Sequence, residues 1–218
     1  MKRERRIKII ATLGPASSTP EMCAKLFAAG VDVFRINMSH TQRETLPEKV
    51  AMLRALEGQF RRPVGILADL QGPKLRVGKI KDNALPLEPD DVITIVNDIT
   101  AEGTKDRIYM SYEQFAEDCE VGERILMDDG KLMFEVVFTD KKSTVRLKCL
   151  HSGVLSSNKG VNLPDTNVKL PSMTEKDRED LDFILTQPVN WIALSFVRRA
   201  DDLRDLKDII EAHRHPAK

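Results

Sequence analysis

The 218-residue chain lacks the marks of several large protein classes. Its three cysteines, Cys23, Cys119 and Cys149, are far apart and form no C-x-x-C pair, which argues against a zinc site and a disulfide framework and fits a reducing compartment. Charge of either sign is not in excess: 34 Lys and Arg balance 34 Asp and Glu, so no global field draws the surface to nucleic acid or an anionic membrane. No stretch approaches the roughly 20 apolar residues of a membrane span. The apolar run Ile7 to Leu13, after the basic start Lys2 to Arg6, is interrupted by Lys8 and Thr12 and stops at Gly14-Pro15, too short for a signal-peptide core. There is no internal repeat and no low-complexity tract. Aromatic residues are scarce at 5%, and the single tryptophan, Trp191, opens an apolar strand and reads as core. A soluble cytoplasmic protein is expected, with neither nucleic acid nor membrane as partner; the run Lys2 to Arg6 reads as a solvated terminus. With 41% apolar and 31% charged residues, the chain has enough to bury for a folded core.

Along the chain, β-branched Ile7 to Thr12 reads as a buried strand ending at a Gly-Pro breaker. Ser18, Thr19 and Pro20 then open a helix that Gly30 stops. Val31 to Met38 is a second strand, Arg43 to Phe60 a second amphipathic helix, and Val64 to Ala68 a third strand. Strands alternating with helices predict parallel pairing in an α/β architecture. From Gly72 the rhythm changes. Val92 to Val96, Arg124 to Met127, Leu132 to Thr139 and Ser143 to Leu150 read as short strands separated by turn signals at Leu85-Pro86, Asp129-Gly130 and Asp140 to Lys142, an all-β insert. After the polar stretch Ser156 to Pro171, Thr174 caps a helix to Leu185, Trp191 to Phe196 reads as a strand and Ala200 to Ala212 as a last helix. Three stretches result: 1–73 and 171–218 of one α/β domain, with 74–170 inserted as a β domain.

Two constellations carry chemistry. In the second strand Arg35, Asn37 and Ser39 alternate and so project from one face. Their spacing alone fits a solvated edge strand as well as a site. At the C-terminal end of a parallel strand, where α/β folds place their sites, Arg35 suits a phosphate and Asn37 and Ser39 offer neutral oxygens to a cation. The third strand delivers Asp69 into Leu70-Gln71-Gly72-Pro73-Lys74-Leu75-Arg76, a carboxylate followed by a tight turn and two cations. A turn cap with solvated lysine and arginine accounts for that pattern equally well.

The segments Ile9 to Ser17 (IIATLGPAS), Arg35 to His40 (RINMSH), Asp69 to Gly78 (DLQGPKLRVG) and Lys159 to Pro164 (KGVNLP) resemble those of pyruvate kinases, in order and spacing. The resemblance runs from about Arg6 to Glu211. It implies a partial TIM (β/α)8 barrel interrupted after its third strand by an all-β barrel lid. The implied activity is phosphoryl transfer from phosphoenolpyruvate to ADP, giving pyruvate and ATP, the last step of glycolysis. Position by position, it makes Arg35 the phosphoenolpyruvate-binding arginine. Asn37, Ser39, Asp69 and the backbone at Leu70 become a monovalent-cation site. Asn37, Ser39, His40, Arg76 and Lys159 become nucleotide contacts. It also implies Mg2+ as cofactor and a homotetrameric full-length form.

Two departures qualify these expectations. Many members carry threonine and glutamate where this chain has Leu70 and Lys74. Lysine there goes with potassium-independent activity, so K+ is expected to be dispensable. The family's enolate-stabilising lysine and its magnesium-binding acids have no counterpart before Lys218; only four βα units are counted, and the chain alone is expected to be inactive. No catalytic residue is therefore assigned. The competing expectation is a non-catalytic module that binds nucleotide or phosphoenolpyruvate or regulates intact subunits. Ser195, near the end of its strand, is a weaker candidate for the substrate pocket. His213 and His215 suit a frayed end better than a metal pair, and Cys119 and Cys149 read as ordinary packing or surface residues.

Overall fold

A breaker, a cap and a short β-branched run set up the first βα unit, and the pattern repeats. In the computed structural model, which describes residues 6–99 and 102–218, strand β1 (Ile10–Thr12) leads to helix α1 (Pro20–Ala29). The Met22 N–H donates to Thr19 Oγ1, and Pro20 takes a position that needs no N–H. The helix ends because Gly30, at φ 121°, turns its own N–H back onto the Leu26 and Phe27 carbonyls. Strand β2 (Val33–Asn37), a short 3-10 turn at Arg43–Thr45, helix α2 (Leu46–Phe60) and strand β3 (Gly65–Asp69) follow.

The chain then enters strands β4 (Leu85–Leu87), β5 (Val92–Val96) and β6 (Ile108–Tyr109), the single-turn helix α3 (Phe115–Asp118), and strands β7 (Arg124–Met127), β8 (Leu132–Thr139), β9 (Thr144–Cys149), β10 (Gly153–Leu155) and β11 (Val161–Asn162). It closes with helix α4 (Glu175–Ile184), strand β12 (Trp191–Ala193) and helix α5 (Ala200–Ala212). Two compact units result, one combining residues up to Pro73 with Pro171–Lys218, the other spanning Lys74–Leu170.

In the first unit the four strands pair in the order β1-β2-β3-β12, all parallel, in a curled half-barrel sheet. One face is apolar: Phe34, Ile36, Ile66, Ala68 and Ile192 pack with Phe27, Leu53, Leu181 and Leu206 from the helices. The alternate residues point the other way, and here the expectation for Trp191 fails. Trp191 is 40% exposed, on the inner face of the curl rather than in the core. Its ring lies 2.7 Å from where a Cβ on Gly65 would sit, so a larger residue at that point of β3 would have to push the ring aside. Strand order explains the exposure: a residue opening a strand faces the helices or the inner face according to register, which composition does not report.

The second unit has its own core. A six-stranded sheet runs β11-β7-β8-β9-β5-β6, and Phe134, Val136, Ile125, Leu147, Ile93 and Tyr112 meet inside it. Two stretches read as turn or polar loop are strands. Leu85–Leu87 pairs antiparallel with β10 as a two-stranded sheet, where Pro86 needs no ladder N–H, and Val161–Asn162 pairs with β7. The tail is not frayed either. His215 Nε2 lies 2.9 Å from the Gln187 carbonyl and His213 Nδ1 2.9 Å from that of Ile209. Lys218 exchanges backbone hydrogen bonds with the β12 edge, donating to Asn190 and accepting from Ile192. Of the run Lys2 to Arg6, all but Arg6 lies outside the described residues.

Cys23, Cys119 and Cys149 are buried free thiols. Burial pushes all three thiols up, Cys119 to about 11. Native protein at pH 8 should therefore react slowly with a thiol reagent and release three equivalents only in denaturant, as absorbance of the released chromophore would show. Because the native Cys119 stays protonated above the unfolded pKa, this contribution to stability is present below pH 9.0 and is lost as pH rises toward about 11.

Candidate functional site

Parallel register brings the polar residues of neighbouring strands abreast. Asn37 lies opposite Asp69, and Asp69 opposite Ala193, at the C-terminal ends of β2, β3 and β12; one level below, Thr12 lies opposite Arg35. The ends are knitted by Leu13 N–H to the Arg35 carbonyl, Met38 N–H to that of Asp69 and Leu70 N–H to that of Ala193. The inner face at this end therefore carries a guanidinium, a carboxylate and neutral oxygens on rigid elements.

Arg35 reaches across to Asp69. Its Nε and Nη2 both donate to Asp69 Oδ2, at 2.7 and 2.5 Å, and its Nη1 donates to Thr12 Oγ1 at 3.1 Å. Three of its five N–H groups are thus engaged, and a side chain 34% exposed keeps the other two open to an anion. Ser195 donates to Asp69 Oδ1 at 3.3 Å. Asn37 Oδ1 accepts the Ser39 N–H at 2.9 Å, an Asx turn that directs the chain toward exposed His40. Thr12 was not singled out by sequence, and Ser195 only weakly. Their contacts appear once β1 and β12 flank the β2–β3 pair, a fact of strand order rather than of local spacing.

The other candidates lie in the second unit. The Val77 N–H donates to the Lys159 carbonyl, Arg76 bridges to Gly160, and the Arg76 guanidinium donates to the Asn158 carbonyl at 2.6 Å, so Arg76 and Lys159 share one patch. Lys159 pairs with Asp128 at 2.8 Å. That hydrogen bond, with help from Lys131, holds the Asp128 carboxyl below the usual range. Lys74 is exposed at the start of this unit.

A hollow of about 580 Å3 at the opposite, N-terminal strand ends is lined by Lys8, Asp32, Arg62 and Trp191. Two of its charged groups are committed: Arg62 stacks on Phe27 and donates to the Phe27 and Val31 carbonyls, and Asp32 accepts the Ile9 N–H. The C-terminal rim is the better candidate, with its open guanidinium and partly engaged carboxylate.

Residues 4–218 match the family model described as pyruvate kinase, barrel domain. The chain belongs to the pyruvate kinase family. It is 47% identical over 210 residues to a pyruvate kinase of Methylorubrum extorquens, 41% over 211 to pyruvate kinase 2 of Synechocystis and 40% over 209 to a pyruvate kinase of Staphylococcus aureus. These matches take in 96%, 95% and 95% of this chain but 43%, 36% and 35% of the relatives' length. Among the described residues, no helix is long and apolar enough to cross a membrane.

Asp69 brings a single negative charge to the C-terminal rim, and Arg35 offsets it. Among the described residues no group of three His, Cys, Asp or Glu stands ready for a metal ion. Asp69→Asn should remove the charge-assisted bonds from the half-exposed Arg35 and lower stability by about 1–2 kcal/mol, measured by urea titration; an unchanged midpoint would contradict the pair's role.

Proposed function

We propose that this chain supplies the phosphate-gripping part of a pyruvate kinase site that moves the phosphoryl group of phosphoenolpyruvate to ADP. The observation that supports this reading most is the Arg35–Asp69 pair, 2.7 Å at Nε, at the C-terminal ends of adjacent parallel strands. In this reading, the two free N–H groups of Arg35 hold the phosphoryl oxygens, and Asp69 and Thr12 fix the plane of the fork. Such transfer is mainly positioning and charge neutralisation, the work a fixed guanidinium does. The terminal phosphate oxygen of ADP attacks phosphorus, the bond to the enol oxygen breaks, and the enolate takes a proton to become pyruvate. Asn37, Ser39 and His40 border the nucleotide, and Arg76 and Lys159 neutralise its phosphates once Lys159 exchanges Asp128 for them. Asn37, Ser39, Asp69 and the Leu70 backbone offer oxygens to a monovalent cation. Magnesium, when bound, would add Lewis-acid charge at the phosphates.

Isothermal titration of the chain with phosphoenolpyruvate should give saturable binding, weakened about tenfold or more by Arg35→Ala, the scale of one lost charge-assisted contact. Equal affinity for both would overturn the assignment. In a coupled pyruvate assay the chain alone should be silent, and turnover should appear on adding a fragment covering the remainder of a relative. Turnover by the chain alone would refute the proposed inactivity, and binding without turnover in either arm would favour a non-catalytic module.

Lys74 takes over the charge of the potassium ion. A full-length pyruvate kinase carrying this segment should turn over in buffer free of Na+ and K+, and Lys74→Glu should make it dependent on K+. Inactivity of the parent there, with recovery on adding K+, would refute this role.

A further inference from the structure

Helix α4 holds two wholly buried carboxylates, and only part of what they bind is explained by the helix itself. Asp177 is 0% exposed. Its Oδ2 accepts the Thr174 N–H at 2.9 Å and the Thr174 hydroxyl at 2.5 Å, while its own N–H donates to Thr174 Oγ1, a capping box that any helix start could use. Its Oδ1 is spent differently. It accepts the N–H of Gln71 at 2.8 Å and shares the N–H of Gly72 with Oδ2, at 3.2 and 3.1 Å; both amides are more than 100 residues away in the chain, directly after Asp69 and Leu70. No cation pairs with this carboxylate among the described residues. Backbone and hydroxyl donors alone compensate its burial, so each is costly to lose.

What Oδ1 holds bears on the rim. Gly72, at φ 68°, lies so close to residues 195–196 that a Cβ there would meet the Phe196 ring at 2.6 Å and the Ser195 Cβ and carbonyl oxygen at 3.3 Å. Phe196 is itself at φ 58°, a conformation that costs a bulky residue energy and persists only where its surroundings impose it. Ser195, on that constrained backbone, sends its hydroxyl to Asp69 Oδ1. On the same helix turn, Lys176 donates to the Met38 carbonyl just ahead of Ser39, and Asp180, 1% exposed, pairs with Lys176 and with Arg43 Nε at 3.1 Å.

We propose that Asp177 is the positioning residue of the rim, acting through Gln71 and Gly72 to set the Ser195–Asp69–Arg35 geometry, with Lys176 and Asp180 fixing the neighbouring Ser39 loop. This rests on the reading of that rim as the phosphoenolpyruvate site. The group touches no substrate; it holds in place the segment that backs the residues that do.

The capping box supplies its own control. Thr174→Ala removes the cap hydroxyl and leaves Oδ1 on the Gln71 and Gly72 amides. Asp177→Asn cannot satisfy both sets of donors. Both variants of the full chain should melt at lower temperature. Only Asp177→Asn should raise the phosphoenolpyruvate dissociation constant, by about tenfold, the scale seen when an outer-shell partner is lost, while Thr174→Ala stays within about twofold. Only Asp177→Asn should shift the 1H–15N resonance of Arg35 Nε, which reads the Asp69 pair with no ligand present. If Asp177→Asn does not fold, Gly72→Ala presses the same segment from its other side and should move both readouts alike. Equal effects from Thr174→Ala and Asp177→Asn, or an unmoved Arg35 signal in the variant that folds, would overturn the proposal. Absence of phosphoenolpyruvate binding in the parent chain would instead overturn the site reading and leave the Arg35 signal to decide the clamp.

Discussion

The parallel register of β2 against β3 is the constraint on which the candidate site depends. It sets Asn37 beside Asp69 and lets Arg35, one level lower, reach the same carboxylate. A slip of one residue would turn Arg35 toward the helices and Phe34 to the inner face, burying a guanidinium among Phe27, Leu53 and Leu181. The outer apolar face and the polar rim are therefore two consequences of one register. The hydrophobic packing that holds the half-barrel together also aims its charged groups.

Much of this was legible in the residues. Alternation from Phe34 placed Arg35 and Asn37 on one face, though the strand ends at Asn37 and Ser39 falls in the turn beyond it; the cap at Thr19, the stop at Gly30 and the cap at Thr174 marked helices that the structure contains. Such signals are local: each turns on a few adjacent side chains and the backbone they cap. The break in rhythm at Gly72 was equally plain, because period-2 strands and turn residues replace the 3.6-residue repeat.

What stayed hidden needed contacts between distant parts of the chain. Trp191 looked like core because apolarity says nothing of which sheet face a strand's first residue takes. Leu85-Pro86 looked like a turn because proline is rare in strands, yet an outer position of a two-stranded sheet costs it no hydrogen bond. Asp177 carried no visible signal beyond a capping role: half of its partners, Gln71 and Gly72, lie across the insert. Thr12 joined the site only because β1 pairs with β2, giving the guanidinium a third anchor.

Division of labour follows from the same geometry. One end of the curled sheet commits its charges to structure, as Arg62 and Asp32 show, while the other leaves a guanidinium and one carboxylate oxygen in reach of small ions. An experimental structure of the chain with phosphoenolpyruvate tests this most directly. The account predicts phosphoryl oxygens within hydrogen-bond distance of the Arg35 guanidinium, above the ends of β2 and β3. Ligand seated instead at the N-terminal strand ends, against Lys8 and Arg62, would contradict it.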